Sequence, residues 1–408
     1  MHKNKIAKRV PAALGALVLA AAVLLGCCGS FITTGALFVA DWNNNRVLEY
    51  SAPLSTGESA SVVLGQANST TTTRGATEAT TMAGPNAVAM DAAGNLYVSD
   101  AFHCRVLQFT PPFTTGMSAT LAVGEPSGAN NLTTSDCALT ATGLGNTFAL
   151  TVDSNGNLWV SDTFSNRILK YPAPITAGET ATVVLGQTTF TANLCNQELE
   201  APSAATLCDP GGLAFDSAGD LWAIDTGNNR VLMYPAANLV TGGSATVVLG
   251  QPGFGTRTAN NGGISASSLS FEFAITGLAF DSTGNLWVTD QANNRVLMYP
   301  KASLATNGAA ATVVLGQTTS TANLCNQDLE APTAATLCAP VGLAFDKQGN
   351  LAVSDGHNSR ILGFTPPFTT GISATLVLGQ ANLTTGTENT GGVGAATLDQ
   401  PGGLATSF

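Results

Sequence analysis

An apolar strand, an Asp, four small or polar residues and an Arg recur six times along the chain. The copies are Asp41…Arg46, Asp100…Arg105, Asp162…Arg167, Asp225…Arg230, Asp290…Arg295 and Asp355…Arg360. Successive Asp positions lie 59, 62, 63, 65 and 65 residues apart. A strand-built repeat of that length cannot bury its faces alone, so the copies must stack into a ring or solenoid of small sheets.

The most regular copy spans 277–281, 284–290, 295–300 and 311–317. Each segment is rich in Val, Leu, Phe or Trp and is bounded by Gly, Asn, Asp or Pro, which reads as four short strands, a to d. Gly-Asn at 94–95, 156–157, 284–285 and 349–350, and Gly-Asp at 219–220, sit between strands a and b, where positive φ makes a tight hairpin turn. Four-stranded antiparallel units repeated about an axis are the blades of a β-propeller, an all-β fold.

Segments b, c and d occur six times, but strand a precedes only the last five sets, beginning at Ala87, Ala149, Gly212, Gly277 and Gly342. The missing copy stands at the C-terminus, where Pro401-Gly402-Gly403-Leu404-Ala405 matches Pro210-Gly211-Gly212-Leu213-Ala214. The C-terminal strand is therefore expected to join the N-terminal three, closing a six-bladed ring over 36–408 and removing the open sheet edges of its end blades.

The pattern Gly-Leu-Ala-Phe-Asp, Gly-Asn-Leu-Trp-Val-Thr-Asp, then Asn293-Asn294-Arg295-Val296, resembles the NHL repeat, whose members form six-bladed propellers. The resemblance covers nearly all of 36–408, although the Asn three residues after the Asp is His103 in blade two and Ser165 in blade three. The Val-Leu-Gly-Gln segments make the repeats longer than a bare NHL unit and resemble a bacterial extracytoplasmic subset. The family includes enzymes, RNA binders and pure scaffolds, so the resemblance does not choose a function.

Residues 1–26 read as a secretion signal: Lys3, Lys5, Lys8 and Arg9 precede an apolar or small-residue run over 12–25, too short for a comfortable membrane span. The sequence Leu24-Leu25-Gly26-Cys27 resembles a bacterial lipobox, which implies cleavage before Cys27, lipidation of its thiol and a tether over 27–35. Cleavage by an ordinary signal peptidase nearby is the competing reading. The protein is accordingly expected outside the cytoplasm, on an outer or cytoplasmic membrane, facing the periplasm or the cell exterior.

Charged residues make up only 10% of the chain and the formal net charge is −11, so no basic surface exists for nucleic-acid phosphates. Among the eight cysteines, two nearly identical inserts each hold a pair 13 residues apart, Cys195 with Cys208 and Cys325 with Cys338. Duplication of both cysteines in an exported chain points to local disulfides, each stabilising by roughly 3 kcal/mol. Cys104 and Cys137 are left to pair by exclusion. No Cys-x-x-Cys occurs and only three His are present, one of them in the signal, so no metal site or cofactor is expected.

The six Asp and six Arg are expected to be structural, because a catalytic constellation does not appear six times in one chain. Each pair bounds the b–c connection of its own blade, where the carboxylate can accept from turn amides and the guanidinium can bridge to it or to neighbouring carbonyls. In an up-and-down meander the b–c and d–a connections share one face. The d–a connections, 67–84, 126–146, 188–209, 252–275, 318–339 and 381–401, are the long and variable ones. Recognition is expected there.

Two classes of function compete. Other six-bladed propellers include lactonases resembling gluconolactonase or paraoxonase, and lyases with a channel metal. The residues just before the strand-a Gly or Ala, which should line the channel mouth, are Asn86, Phe148, Gly211, Thr276, Val341 and Gly402. With no carboxylate and one amide, they form a poor ligand set for a hard cation. His103 and His357 lie in b–c loops, and no nucleophile elbow, His-Glu-x-x-His or phosphate loop is present. The expectation is a monomeric, non-catalytic, envelope-anchored scaffold binding a protein or glycan through its loops. No catalytic residue is assigned, and the ligand-binding residues are left unassigned. A structural envelope protein with no discrete ligand is the remaining alternative.

Overall fold

The computed structural model describes residues 31–32, 34–125, 132–133 and 137–407; Cys27 and the expected signal lie outside them. Six four-stranded antiparallel sheets surround an axis, and the described residues contain short 3-10 turns but no α-helix. Blade five shows the plan, running outward from the axis as Leu278–Phe280, Leu286–Asp290, Arg295–Tyr299 and Val313–Leu315. Strand b is buried along its whole length in every blade. Each blade is sandwiched between two others, so both faces of its inner strands must be apolar. That is why these strands read as continuous apolar runs.

Aromatic contacts tie successive blades. Trp159, Trp222 and Trp287 of strand b meet Phe215, Phe280 and Phe345 of the next blade's strand a edge to face, with centroids 5.7, 6.1 and 5.8 Å apart. Each indole N–H donates to the a–b turn carboxylate of its own blade, Asp153, Asp216 or Asp281, at 3.0, 3.2 and 3.1 Å. The turn glycines Gly94, Gly156, Gly219, Gly284 and Gly349 have φ between 80° and 87°, as the hairpin reading requires.

The ring closes as the strand count implies. Pro401–Ser407 pairs antiparallel with Ala36–Asp41, with Ala36 opposite Ser407, Val39 opposite Leu404 and Asp41 opposite Pro401. At the axis the inner strands meet backbone to backbone. A Cβ on Gly342 would lie 2.3 Å from the Gly402 carbonyl oxygen, and one on Gly402 would lie 2.6 Å from that of Asn86. Glycine at this level is therefore a packing requirement. Strand a also begins two residues earlier than expected in four blades, at Pro85, Thr147, Pro210 and Pro340 rather than at Ala87, Ala149, Gly212 and Gly342.

The segment expected as a tether contributes to the fold. Phe31 and Ile32 are buried, Phe31 closes against Gly363 of blade six, and the Ile32 amide donates to Asp346 Oδ2 at 3.1 Å. Gly363 is what makes room for the Phe31 ring.

The Asp–Arg pairs are fully buried in all six blades, with Arg Nε to Asp Oδ2 distances of 2.6–2.8 Å. In Asp225 the other oxygen accepts the Cys208 amide at 2.7 Å, from the loop entering the blade. Arg230 donates Nη2 to the Ser203 and Thr206 carbonyls of that same loop, and Nη1 to Phe254 of the loop leaving the blade. Every blade repeats this arrangement, with Gly143 as the Nη2 acceptor in blade three. The pair is thus a clasp that holds both flanking connections. Burial pushes the Asp225 carboxyl upward, and the Arg230 charge and the loop amide oppose that shift.

Deletion of residues 401–407 should leave blade one with an open inner edge, seen as a lower denaturation midpoint and self-association in size-exclusion chromatography. Arg230→Met leaves the Asp225 charge buried without its counter-ion and is expected to destabilise by about 3–5 kcal/mol in denaturant melts.

Candidate functional site: a cavity at the channel mouth

After each clasp Asp a tight turn, in blades two to six a short 3-10 segment such as Gln291–Asn293, ends in a left-handed residue, here Asn294 at φ 54°, before the chain returns at the Arg. One such turn per blade stands around the axis, on the face that also carries the d–a loops. Together they enclose a cavity of about 450 Å³ at the channel mouth. Below it the channel narrows to a space of about 70 Å³ among the inner strands.

The walls come from three sources. The turns supply Trp42, Phe164, Thr226, Gln291 and His357. The inner ends of the d–a loops supply Asp209, Glu272 and Phe273, and strand a supplies Phe148 and Val341. Phe148 and Phe164 pack edge to face at 5.2 Å. Phe164 and Phe273 remain 58% and 48% exposed, which is unusual for such large apolar groups.

Loop residues at the wall are held by hydrogen bonds. Gln291 Oε1 accepts the amides of Glu272 and Phe273 at 3.1 and 3.2 Å, which fixes that stretch of backbone at the rim. Asp209 adopts φ 49°, and its amide donates to Asn166 Oδ1 of the preceding blade at 2.8 Å. Burial, and then the nearby Asp225 carboxylate, raise the Asp209 carboxyl above its ordinary range. The lining contains no Lys or Arg. The Thr226 hydroxyl is buried in this wall with no hydrogen-bond partner, as are both amide atoms of Asn86 in the channel below.

Of the residues singled out before strand a, Phe148, Val341 and Gly402 reach the cavity, while Asn86 and Thr276 line the narrow channel. The two histidines separate. His103 places Nδ1 2.9 Å from Asp100 Oδ2 and joins the clasp of blade two, in the place that Asn228 takes on Asp225 in blade four. His357 is exposed at the mouth, with Nδ1 3.9 Å from Cys338 Sγ. Among the described residues no three His, Cys, Asp or Glu side chains lie together in a way that could hold a metal ion.

The cysteines form three disulfides, Cys104–Cys137, Cys195–Cys208 and Cys325–Cys338. The last two each close a loop that enters a blade. Cys104 has a different setting: it occupies the position before the Arg where Asn45, Asn166, Asn229 and Asn294 accept an amide of the next connection, at 2.8–2.9 Å. In blade two the disulfide makes that link covalently.

Several working residues carry no obvious sequence signal. Gln187 at the end of Val-Leu-Gly-Gln donates to the carbonyls of Asn166 and Leu194, both at 2.9 Å, and Gln66, Gln251, Gln317 and Gln380 do the same in their blades. The cavity aromatics could have been found by aligning the copies on their Asp, since Trp42, Phe102 and Phe164 interrupt positions that are small or polar in blades four and five. Of these, Phe102 is covered by the Arg74 guanidinium at 4.6 Å from its centroid.

No curated protein matches the chain. Among solved structures, the chain is similar to one in a nidogen/laminin complex, at 11% identity and a TM-score of 0.50, covering 91% of this chain and 98% of that one. A Bacteroides caccae protein of unknown function gives 8% identity and a TM-score of 0.49, covering 92% and 99%. A streptogramin B lyase gives 16% identity and a TM-score of 0.38, covering 70% of this chain and only 66% of that one. At such identities the likeness extends to the fold alone. The NHL repeat family matches residues 207–234 and 337–364, which hold the inner strands and clasps of blades four and six. The chain is a six-bladed β-propeller that carries NHL repeats, with the same clasp in all six sheets of a closed ring.

Proposed function

We propose that this propeller is a non-catalytic binding scaffold of the cell envelope that takes a protein or glycan partner on its loop face. The observation that carries the reading is the cavity at the centre of that face, rimmed by exposed aromatic rings and held open by clasped, disulfide-tied loops. The clasps use every repeated Asp and Arg for structure, which leaves these charges unavailable for chemistry. The twin inserts add Leu194, Leu199, Leu324 and Leu329, each at least 44% exposed. Paired exposed leucines on rigid loops favour a protein partner over a glycan.

Three disulfides mark the protein as extracytoplasmic, since they persist in oxidising compartments. No helix of the described residues is long and apolar enough to cross a membrane. Strand Ala36–Asp41 runs toward the loop face, so the buried Phe31 and Ile32 enter from the opposite side. A lipid on Cys27 would then hold that side to the bilayer and turn the cavity outward. Cys27→Ser should abolish radiolabelled acyl incorporation in producing cells; undiminished labelling would remove the anchor from this reading.

The purified protein should bind isolated envelopes saturably, and Leu199→Asp with Leu329→Asp should weaken that binding about tenfold or more. A chelator should leave binding and the unfolding midpoint unchanged. Absence of saturable binding would favour the purely structural role. A midpoint raised by millimolar Ca²⁺ and reversed by chelation would favour a metal-dependent enzyme.

A further inference from the structure

We propose that the mouth cavity binds an organic ammonium group attached to an apolar body. This deepens the binding-scaffold reading and rests on it. Its polar wall carries two carboxylates, Asp209 from the loop entering blade four and Glu272 from the loop entering blade five. His357 is the sole basic side chain in the lining. An anion would meet both carboxylates, and a neutral guest would take water from them without compensation. A cation meets neither penalty.

The remaining wall is aromatic. Trp42, Phe148, Phe164 and Phe273 lie on three different sides of the cavity, in blades one, three and five. Aromatic faces attract ammonium groups through the ring quadrupole, most strongly where the site excludes water. The same rings cover an alkyl or aryl body, and about 450 Å³ accommodates a small amine of that kind. The site is organised before binding, because Gln291 fixes the Glu272 and Phe273 amides and Asn166 fixes that of Asp209. The formal net charge of −11 adds long-range attraction for a cation.

Trp42 makes the test direct. It is the one tryptophan of the cavity wall, while Trp159, Trp222 and Trp287 are at most 2% exposed, so a change in intrinsic emission reports the mouth. The purified protein is titrated with phenethylammonium chloride, phenethyl alcohol, phenylacetate and a neutral disaccharide. Saturable binding of the ammonium is expected, with the alcohol about tenfold weaker and the acid undetected. Asp209→Asn and Glu272→Gln should each weaken the ammonium about fivefold and leave the alcohol unaffected. Asn suits the left-handed backbone at 209 and Glu272 is exposed, so both variants are expected to fold. The ligand series on the unmodified protein stands independently of them.

Equal affinity for alcohol and ammonium, binding of the disaccharide in its place, or no response to the ammonium would overturn the assignment. If envelope binding sensitive to Leu199→Asp and Leu329→Asp persists in that case, only the cavity assignment falls. If it too is absent, the scaffold reading falls with it.

Discussion

The buried ion pair between each Asp and the Arg five residues on is the interaction on which this structure depends. A propeller face is a set of loops with no sheet of its own, and loops left to themselves sample many conformations. Here every long connection is gripped at both ends by guanidinium donors and by the carboxylate that holds the guanidinium in place. Burial of a charge pair contributes little net stability, because desolvation opposes the Coulomb attraction. What it contributes is definition: loop carbonyls in the wrong register would leave a buried cation short of acceptors. Six clasps therefore fix a face on which a cavity can persist.

The blades also show that one geometric task tolerates several chemistries. Asn228 donates to the clasp carboxylate of blade four, and His103 occupies the same position in blade two. The bridge from each turn to the next connection is an Asn side chain in blades one, three, four and five, a Ser359 hydroxyl in blade six and a disulfide in blade two. An isolated His or Cys in one copy of a repeat is thus best judged against what its counterparts do. By that standard His103 is a structural residue, and His357, whose counterparts are Asn43, Phe102, Phe164, Gly227 and Ala292, is a residue of the site.

The ring, its closure and its clasps were legible because they are written several times, and a repeated residue exposes its constraint. The disulfides were legible for a related reason, two of them being copies of each other. The cavity was not, because it is assembled from single residues contributed by blades about sixty positions apart, at places where the repeat allows variation. Attention to the residues before strand a found Phe148 and Val341 but not Trp42, Phe164 or Phe273, which stand on turns and loop ends. The docking of Phe31 and Ile32 was hidden for another reason. It requires Gly363 in blade six, a vacancy whose partner lies more than three hundred residues earlier.

The shared blade also orders events in time. Strand Ala36–Asp41 leads the described fold, and its inner neighbour Pro401–Ser407 ends it. A chain that emerges from its N-terminus can complete blades two to six in succession, each from contiguous sequence. Blade one must wait, its inner edge unpaired, until residues 401–407 arrive. Closure is thus the most non-local contact in the molecule and the slowest kind to form. Until that moment the clasp of blade one lacks the carbonyls of Gly394 and Thr397, and Asp41 lacks the amide of Asp399. The mouth cavity, whose wall includes Gln400 and Pro401, comes into being only once residues 400–407 are in place.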